Sequence, residues 1–401
     1  MHFARVCDVC NKEANLEDMR CHACNGNLHF VYGQNKPIID SSKSGLDRYW
    51  SRLPIVNLEA RVKLGEGSTP LLPLSNDLGI NLFVKNEMGN PTGSHKDRQV
   101  SLAISHAVQL GKNKSVLVSA GSTGLSNAAY AARAGIGSTV FTGRNAREDR
   151  VVPISVLGSG VVMVDEEIDK VIDELTDICS KKGIYNSSTA RHINPYQAEG
   201  GKTISFEIFE QLGDAPDWMI VPAGGGGTYA AIARGFVELY EAKLSTKIPK
   251  LVGAVPATYN ALEHAFNNGY TTMDQIKQHE IGKDLPTILP KLAHIHPPDA
   301  EDALSAANLT NGLFLSASDS EALDGCDYLA SQVGLYTEPS SGAGVAVLNK
   351  FLTLGKVQKG ETVVGLVCGS GFRETNVYNE SRPFKKRSIS LSEMEAVATG
   401  A

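Results

Sequence analysis

The sequence predicts an α/β protein in which two domains with largely parallel sheets accompany a small cysteine-rich N-terminal module. Apolar runs with strand character alternate with helical stretches, at residues 115–118, 138–142, 218–221, 250–255 and 362–367. Glycine-rich turns follow two of these runs, and loops at the carboxyl ends of parallel strands are where binding sites lie. Two C-x-x-C pairs near the N-terminus set that segment apart.

Length and charge favour a cytoplasmic enzyme. The chain has 401 residues and a net charge of −6, enough for two core-forming domains and too acidic to favour nucleic acid or an anionic membrane. No apolar run has membrane-spanning length. Cysteines outside the N-terminal module, Cys179, Cys326 and Cys368, are scattered as in a reducing compartment. The basic run Arg382–Arg387 is predicted to be a solvated or subunit-contacting tail.

The N-terminal cysteines predict a structural zinc site in a zinc-ribbon-like module. The four candidate ligands are Cys7, Cys10, Cys21 and Cys24. Each C-x-x-C pair can present two sulfurs to one tetrahedral ion, and His22 and His29 are possible substitutes. A disulfide is disfavoured because no signal peptide precedes the cysteines, and a redox motif because no thioredoxin-like unit follows. Zinc ribbons also bind nucleic acid, but this one lacks a basic, aromatic-rich surface.

Lys96 is the residue with the strongest catalytic signal. It lies in N-P-T-G-S-H-K-D-R (90–98), between a strand-like run at 81–84 and a helical pattern at 97–110. A lysine held at a strand-to-helix turn is positioned by the backbone, which suits Schiff-base formation with a carbonyl cofactor. A single lysine is usually a solvated surface residue, so the assignment of Lys96 as catalytic depends on the glycine-rich turns elsewhere in the chain.

A first glycine-rich turn, S-A-G-S-T-G-L-S-N (119–127), follows the strand at 115–118 and precedes a helical run at 127–134. Its N–H groups and the hydroxyls of Ser119, Ser122 and Thr123 converge at a helix N-terminus, which favours an anion such as a carboxylate. A simple tight turn is the alternative interpretation.

A second turn, V-P-A-G-G-G-G-T-Y-A-A-I (221–232), contains four consecutive glycines whose N–H groups can surround a phosphate. Two nucleotide-binding motifs fail here. A dinucleotide fingerprint needs glycine where Tyr229 stands, and a P-loop ending at 200–203 needs glycine where Tyr196 stands. The phosphate is therefore not expected to belong to NAD or ATP.

In this order, the lysine, carboxylate and phosphate turns resemble the fold-type II pyridoxal-phosphate enzymes, the tryptophan synthase β family. The resemblance covers roughly residues 64–374 and is greatest to the threonine synthases. Matching segments are L-G-E-G-S-T-P-L (64–71), the lysine string, Y-A-A-R-A-G-I (130–136) and N-P-Y-Q-A-E-G-G-K-T (194–203).

The resemblance implies a role for each candidate site residue. Lys96 carries pyridoxal 5'-phosphate, and the phosphate is held by Gly224, Gly225, Gly226, Gly227 and Thr228. The substrate carboxylate and the cofactor's phenolic oxygen are met by Ser119, Gly121, Ser122 and Thr123. Cys368, after the strand at 362–367, meets the pyridine nitrogen; a thiol does not force a proton onto it, which favours elimination and replacement over transamination. Without the resemblance, Cys368 is more simply a small buried hydrophobe.

Three positions depart from the threonine synthase pattern. Ser122 replaces an asparagine, and His95 replaces a phenylalanine, as in tryptophan synthase β chains, where the histidine lies against the phosphate. Arg191 and Gln197 stand where an asparagine and an arginine read O-phosphohomoserine. We therefore expect O-phosphohomoserine to be a poor substrate, and Arg191 to contact the side chain or carboxylate of another amino acid.

The resemblance implies a homodimeric lyase that acts on an amino acid. Lys96 removes the α-proton, and a substituent at Cβ or Cγ is eliminated or replaced. A serine/threonine dehydratase-like enzyme, an O-phosphoserine-using β-replacement enzyme and a catalytically reduced sensor of the cofactor or an amino acid are the alternatives. The expected parts are a zinc module (1–36), a large domain (37–96 and 195–380), a small mobile domain (97–194) and a polar tail (381–401).

Overall fold

A computed structural model describes residues 2–33, 37–119, 121–144, 146–283, 285–382 and 388–399. The strands are β1 (Phe3–Cys7), β2 (Leu28–Tyr32), β3 (Leu71–Leu74), β4 (Asn81–Asn86), β5 (Lys114–Val118), β6 (Gly137–Thr142), β7 (Gly160–Met163), β8 (Trp218–Pro222), β9 (Lys250–Pro256), β10 (Leu313–Ala317) and β11 (Thr362–Val367). The α-helices are α1 (Lys96–Gln109), α2 (Ser122–Ala134), α3 (Glu148–Val156), α4 (Ile168–Lys182), α5 (Pro195–Gly201), α6 (Thr203–Leu212), α7 (Gly227–Glu241), α8 (Ala261–Asn267), α9 (Met273–Ile276), α10 (Ala300–Leu309), α11 (Asp319–Val333), α12 (Pro339–Thr353), α13 (Thr375–Ser381) and α14 (Met394–Thr399). Short 3₁₀ helices lie at Gly45–Arg52, Leu58–Ala60, Glu87–Gly89, Gly371–Arg373 and Leu391–Glu393.

The larger sheet has six strands in the order β10-β9-β8-β11-β4-β3. All neighbours are parallel except the edge pair β3–β4, which is antiparallel. Every residue of the central strand β8 is buried, as expected when helices cover both faces of a parallel sheet. One apolar cluster, with Phe206, Phe236 and Leu251, and a second, with Trp218 and Phe351, form its core.

The smaller sheet contains β5, β6 and β7, all parallel. Its core combines Val116 and Val118 of β5 with Val171, Leu175 and Cys179 of α4. The backbone of residues 185–187 runs beside β5, since the N–H of residue 116 donates to the carbonyl of residue 185 and its carbonyl accepts from residue 187. This sheet is separate from the larger one, as the sequence predicted.

Helix α1, which begins at the candidate lysine, is anchored by a buried network of charges. Arg98 is fully buried and donates to Glu87 and Glu207 at 2.7 Å each. Lys85 of β4 also donates to Glu207, at 2.8 Å. Because unpaired buried charges are costly, this network fixes the start of α1 relative to β4 and α6.

The N-terminal module contains the antiparallel pair β1–β2 and contacts the rest of the chain through polar groups. The carbonyl of Leu16 binds His106 Nε2 at 2.9 Å and accepts from the Tyr196 hydroxyl at 3.1 Å. Tyr32 donates to Glu199 at 2.7 Å. The module is therefore joined both to α1 and to α5.

The predicted α/β class is confirmed, and each predicted strand is present within two residues of its expected ends. The main difference is α2, which begins at Ser122 rather than near Asn127, because the serine- and glycine-rich turn already forms its first helical turn. Helices in the described ranges are all too short or too polar to cross a membrane. Of the basic run 382–387, only Arg382 lies within the described residues; it pairs with Asp324 and Asp327.

Candidate active site

Four chain turns meet at one cavity of about 790 Å³ between the two sheets. They connect β4 to α1, β5 to α2 and β8 to α7, and the fourth follows β11. All the residues that the sequence singled out for a cofactor or substrate line this cavity: His95, Lys96, Ser119, Gly121, Ser122, Thr123, Arg191, Gln197, Gly224, Gly225, Gly226, Gly227, Thr228 and Cys368. A volume of this size accommodates a cofactor together with a small substrate.

Lys96 is the first residue of α1 and its amine reaches the cavity. The Nζ atom donates to Gln99 Oε1, one turn along the helix, at 3.1 Å. Burial lowers the pKa of Lys96, against the opposing effect of the neighbouring acidic groups Cys368, Asp299 and Glu338. A lowered pKa increases the fraction of neutral amine, the form that attacks a carbonyl and accepts a proton.

Backbone bonds hold the lysine turn against the turn after β11. The N–H of His95 donates to the carbonyl of Cys368 at 3.1 Å, and that of Ser370 donates to the carbonyl of Gly93 at 2.9 Å. Asp97 closes the turn by accepting from the N–H of Thr92 at 2.6 Å. These two turns follow β4 and β11, so the position of Lys96 is set by two neighbouring strands of the larger sheet.

His95 connects this pair of turns to the glycine turn. Its Nδ1 lies 3.2 Å from the carbonyl oxygen of Cys368, and its Nε2 lies 3.2 Å from the hydroxyl of Thr228. Burial, with the neighbouring charge of Lys96, lowers the pKa of His95 to about 3. The ring is therefore neutral near pH 7.

Cys368 is buried directly after β11, and its N–H donates to the hydroxyl of Ser341 at 3.0 Å. Burial, reinforced by the charge of Glu338, raises the pKa of the Cys368 thiol well above its usual range. The thiol is therefore a neutral group that faces the cavity.

The turn at 119–123 begins α2. Ser119 Oγ accepts from the N–H of Gly124 at 2.9 Å and from that of Gly121 at 3.2 Å. Ser122 and Thr123 are largely buried at the helix start, where N–H groups have no intrahelical acceptor. These groups face the cavity and suit an anion.

The glycine turn at 224–227 is a close-fitting cradle. A Cβ at Gly224 would lie 2.7 Å from the Cα of Leu292, and Gly226 has a φ of +93°. Larger residues are therefore excluded at both positions. The N–H groups of residues 224–226 donate no hydrogen bond to another described residue, so they are available to a ligand.

Arg191 lines the cavity, but its guanidinium binds other protein groups. Nε and Nη2 each donate to Asp302 at 2.5 Å, and Nη1 donates to Asp8 at 2.6 Å and to the carbonyl of Leu28 at 3.1 Å. The arginine therefore joins α10 to the N-terminal module. This geometry does not favour the predicted contact with a substrate.

Gln197 is buried in α5, and its Nε2 donates to the carbonyl of Ser187. Its Oε1 is buried and accepts no hydrogen bond from the described residues. Gln197 therefore retains one acceptor and can bind a ligand as the sequence suggested.

Sequence reasoning missed a chain of charged groups at another part of the cavity wall. Lys291 pairs with Glu338 at 2.6 Å and also with Glu374, while Arg150 lies 3.3 Å from Glu374 and Arg373 lies 3.1 Å from Glu338. The Nη2 atom of Arg150 is the one in this ion pair, but it forms no hydrogen bond to Glu374, and the buried Nε has no acceptor among the described residues. These residues come from α3, from a loop, from the start of α12 and from the segment between β11 and α13, and no local motif groups them.

The four N-terminal cysteines form a compact cluster. Their Sγ atoms all lie within 4.8 Å of one another, and the Cys7–Cys24 and Cys10–Cys21 pairs are 3.4 and 3.5 Å apart. A tetrahedral zinc with bonds of about 2.3 Å places sulfurs roughly 3.8 Å apart, so the cluster fits such an ion. The alternative ligand His29 instead binds Asp8 at 2.6 Å.

Comparisons with known proteins agree with this architecture. A family model described as pyridoxal-phosphate dependent enzyme matches residues 62–369. Threonine synthase from Bacillus sp. (strain ULM1) is 32% identical over 353 residues, which are 87% of this chain and 95% of that protein. Threonine synthase from Methanocaldococcus jannaschii is 31% identical over 384 residues, 92% of each chain.

Among solved structures, diaminopropionate ammonia lyase from Escherichia coli superposes with a TM-score of 0.68 at 17% identity, over 82% of this chain and 94% of that one. The matched family span contains both parallel sheets and the four turns around the cavity. The chain therefore belongs to the pyridoxal-phosphate dependent enzyme family, as a lyase similar to the threonine synthases.

Proposed function

We propose that the enzyme eliminates or replaces an anionic substituent at Cβ or Cγ of an amino acid other than O-phosphohomoserine. A β-replacement enzyme using O-phosphoserine is one form of this proposal, and a dehydratase acting on serine or threonine, whose leaving group is uncharged, is the alternative within the same chemistry. The buried Nε of Arg150 at the cavity wall, which has no acceptor among the described residues, carries the proposal, together with Nη2, which is paired with Glu374 but forms no hydrogen bond to it.

The cavity residues fit pyridoxal phosphate. The cofactor's phosphate suits the glycine turn, because unoccupied N–H donors stand there in a cradle that a Cβ would obstruct. Thr228 lies in the first turn of α7 beside this turn, and its hydroxyl contacts Nε2 of His95 at 3.2 Å. When bound, the cofactor supplies a carbonyl for the lysine and an electron sink for charge left at the substrate's Cα.

We assign Lys96 as both anchor and base, since it lines the cavity where these turns meet and, unlike the amine of Lys291, its amine forms no ion pair within the described residues. Nζ of Lys96 would take the α-proton from the substrate, and Gln99 Oε1, which accepts from Nζ at 3.1 Å, would orient it. Burial lowers the pKa of Lys96, which raises the fraction of this amine in its proton-accepting form.

Cys368 is proposed to meet the pyridine nitrogen. Its thiol stays neutral, so it contributes a weak hydrogen bond and no counter-ion that would hold a proton on the ring. This supports elimination or replacement over transamination. We place the substrate carboxylate at the start of α2, on Ser119, Gly121 and Thr123, with Ser122 directed to the phenolic oxygen.

The side chain of the substrate is proposed to extend toward Arg150 and Lys291. Three cations (Arg150, Lys291 and Arg373) and two carboxylates (Glu338 and Glu374) form the cluster, which leaves one excess positive charge. An anion supplied by the substrate compensates that charge and accepts from Arg150. We assign this role to Arg150 in place of Arg191, whose donors are already used; Gln197 remains a candidate substrate contact.

The first test fixes the cofactor chemistry. Borohydride treatment of the holoenzyme should attach the reduced cofactor to the peptide containing Lys96, as read by mass spectrometry. Lys96→Ala should lose this attachment and lower turnover by at least about a thousandfold. Lys114→Ala, an exposed lysine at the start of β5, is the control. A covalently labelled and active Lys96→Ala protein contradicts the assignment.

The second test addresses the substrate. O-phosphohomoserine, O-phosphoserine, serine and threonine are compared by kcat/KM, and we expect an anionic substrate other than O-phosphohomoserine to be preferred. Arg150→Gln should then cost roughly a hundredfold in kcat/KM for that substrate and much less for serine. Arg133→Gln, exposed on α2, is the control. Efficient threonine formation from O-phosphohomoserine returns the enzyme to threonine synthesis.

Several further features remain proposals. We propose that residues 97–194 form a small domain that moves against the large domain, 37–96 and 195–380, and that the cysteine cluster binds structural Zn²⁺. The resemblance to threonine synthases also supports a homodimer located in the cytoplasm. Sedimentation analysis and metal analysis test the assembly and the metal.

A further inference from the structure

A carboxylate lies directly against the proposed phosphate cradle. Asp299 precedes α10 and is 7% exposed; its N–H donates to the carbonyl of Gly225 at 2.8 Å. A Cβ at Gly226 would lie 2.8 Å from the carbonyl oxygen of Asp299, and a Cβ at Gly227 would collide with its Oδ2. The side chain therefore stands beside the first turn of α7, in the cavity that contains Lys96.

The two carboxylate oxygens of Asp299 have different surroundings. Oδ1 accepts from the N–H of Arg191 at 2.8 Å. Oδ2 has no hydrogen-bond partner among the described residues and is the oxygen closest to Gly227. The cradle thus presents N–H donors, which favour an anion, next to one unpaired carboxylate oxygen, which repels it.

Two negative groups at hydrogen-bonding distance in a buried site cannot both remain fully ionised. If a phosphate occupies the glycine turn, one proton between it and Oδ2 converts repulsion into a hydrogen bond. A carboxylic acid can donate that proton, whereas a carboxylate cannot.

The charges around Asp299 support protonation near neutral pH. Burial raises its pKa to about 7, with the negative charge of Asp302 adding to the effect and the charges of Arg191 and Arg234 opposing it. Arg191 is itself paired with Asp302, which weakens its influence. Lys96 faces Asp299 from α1.

One further titratable group comes from the loop before α10. A Cβ at Gly225 would lie 3.8 Å from His294 Nε2, and the other ring nitrogen of His294 is 3.4 Å from Asp169 of α4. His294 therefore contacts Asp169, and no cation in the part of the chain that the structure describes forms an ion pair with Asp299.

We propose that Asp299 is a binding residue that shares one proton with the cofactor's phosphate, so that cofactor affinity falls as this proton is lost at alkaline pH. The inference rests on the proposed role of residues 224–228. At pH values below the pKa of Asp299, its carboxylic acid would donate from Oδ2 to a phosphate oxygen. Above it, carboxylate and phosphate repel each other. Binding therefore takes up one proton, which weakens affinity by up to about tenfold per pH unit on the alkaline side.

The test uses a probe that cannot react with Lys96, because deprotonation of the lysine would add a pH dependence of the opposite sign. Full-length protein cleared of cofactor is titrated with pyridoxine 5'-phosphate between pH 6 and 9, and the ³¹P resonance of the holoenzyme is followed over the same range. We expect both signals to titrate in the wild-type protein. Asp299→Asn, which keeps an acceptor for the Arg191 N–H but has no titrating proton, should keep only the probe's own phosphate and ring titrations, lose the additional decline of affinity above about pH 7, and bind about tenfold or more tightly than wild type at pH 9.

Asp302→Asn provides a second measurement should Asp299→Asn fail to fold. Removing this negative charge should shift the midpoint of both titrations to lower pH. Identical profiles in wild type and Asp299→Asn overturn the proposal, as does an unchanged midpoint in Asp302→Asn. If no probe binds at any pH, the cofactor role of residues 224–228 falls as well. If the affinity for the probe depends on pH as expected but the enzyme converts none of the amino acids tested, the role of Asp299 is supported and only the proposed reaction is contradicted.

Discussion

The carbonyl oxygen of Cys368 binds His95 twice, through its backbone N–H at 3.1 Å and through ring Nδ1 at 3.2 Å. A carbonyl only accepts, so Nδ1 carries the proton and the neutral ring's Nε2 is an acceptor. Nε2 therefore accepts from the hydroxyl of Thr228, 3.2 Å away. One side chain thus connects the lysine turn, the end of β11 and the glycine turn.

Replacing His95 should loosen the cofactor site. His95→Ala removes two side-chain hydrogen bonds of about 1 kcal/mol each, so we expect pyridoxal phosphate to bind roughly tenfold to thirtyfold more weakly. Fluorescence titration of cofactor-free protein measures this change. His95→Asn, which can keep one of the bonds, should show a smaller loss. Unchanged affinity in His95→Ala would show that the connection does not support the cradle.

Local sequence predicted most of the site and little of its charged surroundings. The lysine string, the turn at 119–123 and the four glycines each lie between a strand and a helix in sequence, so their convergence follows from parallel topology. Arg150, Lys291 and Asp299 come from segments without a motif. Only the tertiary packing of α3 and the loop before α10 brings them to the cavity.

The interpretation of Arg191 shows the same limit. Its alignment with residues that read a phosphate suggested substrate binding, but its partners Asp8 and Asp302 are more than 100 residues away in the chain. No spacing rule anticipates such pairing. The presence of an arginine at this position is visible in the sequence, but the two carboxylates that bind its guanidinium in place of a substrate are visible only in the folded structure.

Arg191→Ala should therefore affect stability before substrate binding. It leaves Asp302 and Asp8 without their shared cation, and we expect the free energy of unfolding to fall by about 1–3 kcal/mol, less than for a fully buried pair because the arginine is 13% exposed. Denaturant titration and limited proteolysis of the N-terminal module measure it. Arg191→Lys keeps the positive charge but lacks the paired N–H groups of the guanidinium, so its free energy of unfolding should lie between those of Arg191→Ala and wild type. A raised KM at unchanged stability would restore Arg191 as a substrate residue.

Acid should weaken the contact between α1 and the N-terminal module through His106. Burial lowers the pKa of His106 to about 3, against the effect of its bond to the carbonyl of Leu16. The unfolded chain binds its proton near pH 6.5, so the contribution is intact above that pH. Stability falls between about pH 6.5 and 3, by up to about 1.4 kcal/mol per pH unit.

His106→Gln keeps a donor for Leu16 without a titrating ring, so it should flatten part of this decline. Denaturant unfolding at pH 7, 6 and 5 measures the slope. His95, whose pKa is also lowered to about 3, adds a second contribution of the same sign. An unchanged slope in His106→Gln would assign the acid sensitivity elsewhere.

The cysteine cluster should hold a structural zinc, and loss of this zinc should also affect contacts outside the N-terminal module. Asp8, which follows Cys7, binds Arg191, and the N–H of Arg191 binds Asp299 beside the glycine turn. Without metal, the segment of residues 7–24 has only a small apolar cluster to hold it, so the ligand bonds provide much of its stability.

Cys7→Ser should therefore lower the thermal midpoint and expose the N-terminus to protease, while the absorbance of bound cofactor at low temperature stays normal. Metal analysis of protein purified without chelator should give about one zinc per chain in wild type and less in Cys7→Ser. His22→Ala, an exposed histidine outside the cluster, should keep full zinc and stability. Wild-type protein free of zinc at any stoichiometry would refute the site, and a Cys7→Ser protein that retains zinc would show that Cys7 is not a ligand.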